Sequence, residues 1–237
     1  MPKLRRRNQG SEKNALPPSR EREFRTDQES FWVGDFGNSY TVRNQGDKLV
    51  ASNAALFSHI LERTGRISSA IEFGANVGLN LRALRLLVPD MKLAAVEINA
   101  QAVVELKKMR DVTVHHRSIL EFKPKGGFDL AFTKGVLIHI NPDELRRVYA
   151  TLHASSRRFV CIAEYYNPTP VGIPYRGHAD RLFKRDFAGE MLQLYPDLRL
   201  RDYGFVYHGD ANFPQDDITW FLMEKTKSGR KAASRYG

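Results

Sequence analysis

From residue 70 onward, short apolar runs alternate with amphipathic stretches, and this alternation limits the possible folds more than any other feature. It is the pattern of repeated βαβ units, in which parallel strands are buried beneath helices. We predict helices over Leu79–Leu87, Ala100–Met109, Pro142–Leu152 and Phe183–Tyr195, and one before them over Ala51–Arg63. The predicted strands are, in order, SAIEFG, KLAAVEIN, VTVHHRS, FDLAFTKG, RFVCIAEYY, LRLRDYGFVYH and ITWFLMEKT.

The net charge of +10 is confined to the two ends of the chain. Residues 1–25 hold eight Lys or Arg against three Glu, and residues 225–237 hold five against none. We therefore predict a flexible basic arm over residues 1–26, a single domain over residues 27–226 and a basic tail over residues 227–237. Such tails are typical of solubility or weak non-specific contact, and nucleic-acid binding is the alternative.

Cysteine usage and hydropathy give the expected compartment. The single cysteine, Cys161, cannot form an internal disulfide and lies in an apolar run that we interpret as a buried strand. The N-terminus is basic without an apolar stretch behind it, and nowhere are there eighteen consecutive apolar residues. Cysteine and histidine are not clustered as in a zinc site. We expect a cytoplasmic protein with no metal and no membrane span.

The segment IEFGANVGLN leaves the first predicted strand, turns on Gly74 and Gly78, and opens a helix. Glycine lets the backbone approach a ligand closely, and the first turn of the helix presents unpaired amides. A dinucleotide site needs G-x-G-x-x-G, but Asn76 stands in place of the middle glycine. S-adenosylmethionine explains this turn better, because it has no phosphate and carries a charged amino acid moiety.

Two acidic residues end the strands on either side of this turn. Glu72 suits the ammonium group of S-adenosylmethionine, and Glu97 can accept both ribose hydroxyls. The neighbouring Asn80 and Ile98 complete this half of the predicted cofactor site. The alternative is that the glycines serve a tight turn and that Glu97 is a surface charge.

Together these residues resemble the first and second motifs of class I methyltransferases. The segments FWVGDFGNSYTVRN, FTKGVLIHINPDEL and IPYRGHADRLFKRDFAGEML are similar to methylases associated with pseudaminic acid biosynthesis, over roughly Asp27 to Lys225. The resemblance implies a Rossmann-like α/β fold with a seven-stranded, mostly parallel sheet, an antiparallel last strand and helices on both faces. It also implies that Ser118 and Ile119 line the adenine, although many relatives have an acidic residue near Ser118.

Acceptor residues are predicted where the fourth and fifth strands end. Thr133 and Lys134 would lie beside the cofactor. His139, one turn further on, is our first candidate for a general base, with a structural core histidine as the alternative. Tyr165 and Tyr166 end the fifth strand.

A polar stretch from Tyr175 to Arg181 supplies further candidates. Arg176 or Arg181 could pair with a carboxylate or phosphate through two hydrogen bonds, and His178 could orient or deprotonate a hydroxyl. A solvated loop with a charged face is the alternative.

Residues 27–50, which we name the lid segment, contain an aromatic and glycine-rich stretch from Phe31 to Asn44. We expect this stretch to be non-helical and to close over cofactor and acceptor through Trp32, Phe36, Tyr40, Arg43 and Asn44. The alternative is simple apolar packing onto the sheet.

These expectations favour methyl transfer from S-adenosylmethionine to an oxygen or nitrogen of a small molecule, such as a sugar or a nonulosonic-acid-type metabolite. Nucleic-acid methylation is a rival, but Thr-Lys-Gly-Val follows the fourth strand instead of the Asn or Asp, prolines and aromatic residue that grip a flipped base. Non-catalytic binding of the cofactor is the other rival. The oligomeric state is left open.

Overall fold

The computed structural model describes residues 24–175 and 178–226, with the backbone alone for residues 178–181. Nine strands follow one another along the described chain. They are β1 (Ser69–Phe73), β2 (Lys92–Glu97), β3 (Val112–His116), β4 (Phe128–Lys134), β5 (Ser156–Glu164), β6 (Val171–Tyr175), β7 (His178–Lys184), β8 (Leu198–Val206) and β9 (Ile218–Lys225).

Seven of these strands form one sheet in the order β3-β2-β1-β4-β5-β9-β8. The first five are parallel to their neighbours, whereas β9 pairs antiparallel with both β5 and β8. This arrangement confirms the predicted α/β fold with a mostly parallel sheet and an antiparallel last strand. The chain therefore brings the carboxyl ends of β1 to β4 to one edge of the sheet, where open α/β sheets bind ligands.

Seven helices surround the sheet in the described chain. They are α1 (Asp27–Val33), α2 (Asp35–Arg43), α3 (Asp47–Glu62), α4 (Leu79–Leu87), α5 (Ala100–Leu106), α6 (Leu145–Ser155) and α7 (Phe187–Leu194). Phe57 of α3 and Leu81 of α4 belong to one apolar cluster, on one face of the sheet. Tyr149 of α6 and Met191 of α7 belong to a second cluster on the other face. Helices cover both faces, as expected.

The lid segment was wrongly predicted to be non-helical. A capping box starts α1, in which the Glu29 amide donates to the Thr26 hydroxyl and the Thr26 amide donates to the Glu29 carboxylate. Gly34 falls at the junction between α1 and α2, where a helix break is needed in any case. Gly34 therefore separates two short helices, and Gly37 is accommodated inside α2.

Two other predictions needed correction near the C-terminal half. The stretch from Tyr175 to Arg181 was expected to be a loop, but Tyr175 lies in β6 and residues 178–181 lie in β7, which pairs antiparallel with β6. Phe183 is consequently a strand residue, and α7 starts only at Phe187, capped by the Asp186 side chain. Cys161 is 1% exposed in β5, as predicted.

Within the described ranges, none of the helices has the length and apolar character that crossing a membrane requires.

Gly78 offers a test of the turn that begins α4. Its φ is +79°, and an added Cβ would lie 2.8 Å from Leu106 Cδ2 and 2.7 Å from Met109 Sδ. We expect Gly78→Ala to lower the free energy of unfolding by about 1–3 kcal/mol, because a side chain in the left-handed region is strained. Urea denaturation measures this. Gly126→Ala is the matched control, since nothing lies within 4 Å of its added Cβ. Equal stability of the two variants would contradict the prediction.

Candidate functional site

A cavity of about 270 Å³ opens at the carboxyl ends of β1, β2, β3 and β4, beneath the lid segment. Twelve of the residues predicted for cofactor or acceptor line it, which brings both predicted halves of the site together. They are Trp32, Tyr40, Asn44, Gly74, Asn76, Asn80, Glu97, Ile98, Ser118, Ile119, Lys134 and His139.

The glycine turn is held against β2 by a backbone hydrogen bond. The amide of Gly74 donates to the carbonyl of Val96 at 2.8 Å, and Gly74 has a φ of +73°. A Cβ at this position would lie 2.5 Å from Val136 Cγ2. Glycine is therefore required both by the backbone dihedral and by the loop that follows β4.

Glu97 is the buried carboxylate at the centre of the cavity wall. Its Oε2 accepts a hydrogen bond from the Asn76 amide at 2.8 Å, and its Oε1 accepts one from the Asn99 amide at 2.7 Å. Burial raises the pKa of Glu97, and these amide hydrogen bonds oppose the shift. Since a carboxylate has about four acceptor positions, Glu97 keeps acceptor capacity toward the cavity.

Glu72 does not line the cavity but lies directly behind its wall. Its Oε1 accepts a hydrogen bond from Asn80 Nδ2 at 2.5 Å. Among the described residues, neither Glu72 Oε2 nor Asn80 Oδ1 has a hydrogen-bond partner. Burial raises the pKa of Glu72 to about 8, although the Asn80 hydrogen bond and the Lys134 charge lower it. Burial likewise lowers the pKa of Lys134, against the charges of Glu72, Asp216 and Glu164.

Two polar side chains of the sheet edge hold the lid segment in place. Asn99 Nδ2 donates to the Trp32 carbonyl at 3.0 Å and to Asn38 Oδ1 at 2.9 Å. The Thr41 hydroxyl donates to Asn76 Oδ1 at 3.1 Å. The asparagine that replaces the middle glycine of a dinucleotide fingerprint is thus a contact point for the lid segment.

His139 lies between two aromatic rings at the edge of the cavity. Its ring centroid is 4.8 Å from that of Trp32 and 4.9 Å from that of Tyr175, and the residue is 7% exposed. It ends a 3-10 turn that starts at Leu137, and the amides of Val136 and Leu137 donate to Glu164 Oε1 at 3.0 Å each. Burial raises the pKa of Glu164 to about 7, and the amide hydrogen bonds lower it.

Besides Glu72, four predicted cofactor or lid residues lie outside the cavity lining: Phe36, Arg43, Gly78 and Thr133. Gly78 faces Leu106 and Met109. The buried Thr133 hydroxyl donates to Glu164 at 3.4 Å. Arg43 is exposed, with its guanidinium 5.9 Å from the centroid of the Phe36 ring.

The predicted acceptor residues Tyr165, Tyr166 and Tyr175 are also outside the lining. Tyr175 contacts His139 and so lies just behind the cavity. Tyr165 is half-buried, with Lys184 Nζ 5.0 Å from its ring centroid. Tyr166 is exposed and packs near Phe221, away from the site.

The three remaining candidates fall outside what the structure describes. Arg176 is outside the described residues, and so are the side chains of His178 and Arg181. Their predicted contacts with an acceptor stay predictions.

Several lining residues were missed by sequence reasoning because they come from distant segments. Gln215 in the loop between β8 and β9 donates to the Ser52 carbonyl at 2.9 Å, across 163 residues of sequence. Glu29 had a readable local signal, the T-x-x-E spacing of a capping box. The other missed residues include Thr41, Asn53, Asn99 and Asp216.

Within the described ranges, His, Cys, Asp and Glu form no group of three that could hold a metal ion.

Comparison with known proteins shows the fold of the chain but does not assign it to a family. No family model matches the sequence, and no curated protein matches it. Similar solved structures include the 1,6-didemethyltoxoflavin-N1-methyltransferase of Burkholderia thailandensis, with its toxoflavin precursor and S-adenosylhomocysteine bound. It is 20% identical, with a TM-score of 0.61, and the alignment covers 84% of this chain and 87% of that one.

Two further structures show the same fold at lower identity. Magnesium protoporphyrin IX methyltransferase from Synechocystis, with S-adenosylmethionine bound, is 12% identical, with a TM-score of 0.59 and coverage of 85% of this chain and 98% of that one. DesVI of Streptomyces venezuelae is 14% identical, with a TM-score of 0.59 and coverage of 81% and 99%. The chain has the Rossmann-like fold of these structures.

The buried Glu72 predicts a specific pH dependence of stability. Its folded pKa of about 8 lies above the ordinary value of 4.5, so the native state holds a proton that the unfolded chain releases. The associated stability is present below pH 4.5 and is lost as the pH rises toward 8. We expect Glu72→Gln to gain stability relative to the wild type as the pH rises from 5 to 8. Urea denaturation at each pH measures the difference, and a difference independent of pH would contradict the prediction.

Asn99→Asp tests the attachment of the lid segment. The aspartate keeps the Oδ1 acceptor that caps α5 through the Ala102 amide, but it lacks the Nδ2 donors to Trp32 and Asn38. We expect Trp32 to become more accessible, which acrylamide quenching of its fluorescence measures in a Trp220→Phe background. Asn141→Asp is the matched control, because Asn141 caps a separate turn through the Asp143 amide. Equal quenching in both variants would show that Asn99 does not hold the lid segment.

Proposed function

We propose that this protein is an S-adenosylmethionine-dependent methyltransferase that acts on an oxygen or nitrogen of a small molecule. The observation that carries the proposal is the buried Glu97 carboxylate, which faces the cavity beside the glycine turn. The shared fold supports it, because similar solved structures hold S-adenosylmethionine or S-adenosylhomocysteine.

The residues present fit this cofactor at both of its polar ends. Glu97 offers acceptors for the ribose hydroxyls. Gly74 has no side chain, and an added Cβ would collide with Val136, so its backbone can lie close to the ligand. The buried Glu72 and Asn80 each have an oxygen without a described partner behind the cavity wall, and these oxygens could accept hydrogen bonds from an ammonium group. No phosphate-binding turn of the dinucleotide type is needed.

When bound, the cofactor supplies a methyl group on a positively charged sulfur. Glu97 and the glycine turn would hold this cofactor, which would supply the methyl group to the acceptor lone pair and keep the electron pair of the carbon–sulfur bond on sulfur. Trp32 and Tyr40 of the lid segment exclude water and hold the acceptor in line. His139, which reaches the cavity between two rings, takes the proton of a hydroxyl acceptor.

The acceptor class is proposed from two separate supports. The neighbouring structures include enzymes named for a toxoflavin precursor and for magnesium protoporphyrin IX, which are small molecules of very different shape. The sequence resemblance to methylases associated with pseudaminic acid biosynthesis favours a sugar or a nonulosonic-acid-type metabolite. The polar stretch from Tyr175 to Arg181 would bind its acidic group.

Cofactor binding is the first test of this proposal. We expect isothermal titration calorimetry to show micromolar binding of S-adenosylhomocysteine and a loss of at least about 100-fold in Glu97→Ala, since hydrogen bonds to a charged group are worth about 1.5–3 kcal/mol each. Glu121→Ala is the matched control, because Glu121 is exposed and does not line the cavity. Near-ultraviolet circular dichroism verifies folding. A folded wild type that binds neither S-adenosylmethionine nor S-adenosylhomocysteine would exclude the methyltransferase function.

His139 is tested once a screen of sugar-type acceptors for S-adenosylhomocysteine release gives turnover. For a hydroxyl acceptor we expect His139→Asn to lower kcat by roughly 10²–10⁴-fold, the usual contribution of a general base. For an amine acceptor that reacts unprotonated, the expected loss is small. A hydroxyl acceptor with unchanged kcat would show that His139 is structural. Turnover with oligonucleotides and not with sugars would favour the nucleic-acid alternative, and binding without any turnover would favour a non-catalytic role.

A further inference from the structure

Glu29 places a buried carboxylate in the cavity from the lid segment. The residue is 8% exposed and lines the cavity together with Ser118 and Ile119 of the loop after β3. The Ser118 hydroxyl donates to Glu29 Oε1, and the Thr26 amide donates to Oε2 at 3.1 Å. The carboxylate is therefore fixed in orientation by one donor on the lid segment and one on the sheet edge.

These contacts leave Glu29 with unused acceptor capacity. A carboxylate has about four acceptor positions and no donor when it is ionised, and the two hydrogen bonds occupy two of them. Among the residues that the structure describes, no ion pair includes Glu29. A buried carboxylate without a cation is stabilised by further donors, so a ligand in the cavity gains by presenting an N–H group here.

We propose that Glu29 is the residue that selects the nucleobase, by accepting a hydrogen bond from the exocyclic amine of adenine. This inference rests on the proposed function, since it needs S-adenosylmethionine in the cavity. The sequence resemblance implies that Ser118 lines the adenine, and the Ser118 hydroxyl orients a carboxylate supplied by α1. The acid comes from a different segment of the chain.

This origin couples base recognition to the lid segment. Ser118 belongs to the sheet edge, whereas Glu29 belongs to the same helix as Trp32. A base that bonds Glu29 therefore adds a third link between α1 and the sheet edge, beside Ser118 and Asn99. Cofactor binding then holds α1, which carries Trp32, against the sheet edge. The acceptor site is complete only after the cofactor has bound.

The test compares S-adenosylhomocysteine with S-inosylhomocysteine, whose hypoxanthine carries a carbonyl in place of the amine. We expect the wild type to prefer the adenine ligand by about tenfold or more, because a carboxylate cannot donate to a carbonyl. Glu29→Gln should bring the ratio of the two dissociation constants toward one, since its amide can donate. Glutamine also suits this position of a capping box, so α1 keeps its cap.

A control variant and the result for Glu29→Gln together separate the possible outcomes. Glu121→Gln alters the exposed acid of the loop after β3 and should keep the wild-type ratio. Backbone groups that read the base edge would also discriminate, but their effect survives in Glu29→Gln, so an unchanged ratio in that variant overturns the proposal. If the wild type binds neither ligand, the proposed function itself fails.

Acrylamide quenching of Trp32 in a Trp220→Phe background tests the coupling. S-adenosylhomocysteine should reduce the quenching in the parent protein and have a smaller effect in Glu29→Gln. An equal effect in both proteins would overturn the coupling.

Discussion

The structure of the site depends on the two amide hydrogen bonds that Glu97 accepts. One joins β2 to the glycine turn through Asn76, and the other joins it to the start of α5 through Asn99. The side chains of the same two asparagines then contact the lid segment, through Thr41 and through the Trp32 carbonyl. A single buried carboxylate therefore fixes the backbone of the cavity and, through the two asparagines, the helices that cover it.

Burying several charges at one sheet edge opposes folding, and the surrounding contacts reduce that cost only in part. Glu164 is compensated by the amides of the 3-10 turn before His139, whereas Glu72 has one side-chain donor and the nearby Lys134 charge. Buried polar groups without full compensation are characteristic of functional sites, where stability is given up for a prepared environment. The apolar clusters on both faces of the sheet make this arrangement tolerable.

The sheet could be predicted from the sequence because buried parallel strands leave continuous apolar runs. The glycine turn could be predicted because positions where neighbouring groups exclude a side chain are occupied by glycine. The helices α1 and α2 of the lid segment were missed because the prediction used the glycine content alone and did not consider that Gly34 lies at a helix junction. Local signals alone could not place Glu29 against Ser118, 89 residues away, or Asn99 against Trp32, 67 residues away. Such pairs follow from the topology of the sheet, and the carboxylate that meets Ser118 can therefore come from α1, a distant segment of the chain.

Polar and aromatic contacts of the lid segment are divided between the two ends of the cavity. Glu29 reaches Ser118 in the loop after β3, and Thr41 reaches Asn76 in the glycine turn. Trp32 instead makes an edge-to-face contact with Tyr40 and a tilted ring contact with His139. One side of the cavity is thus built largely from the sheet edge, whose geometry the fold determines, and the other from rings on two short helices. Changes in those rings can alter the shape of the cavity without disturbing the sheet.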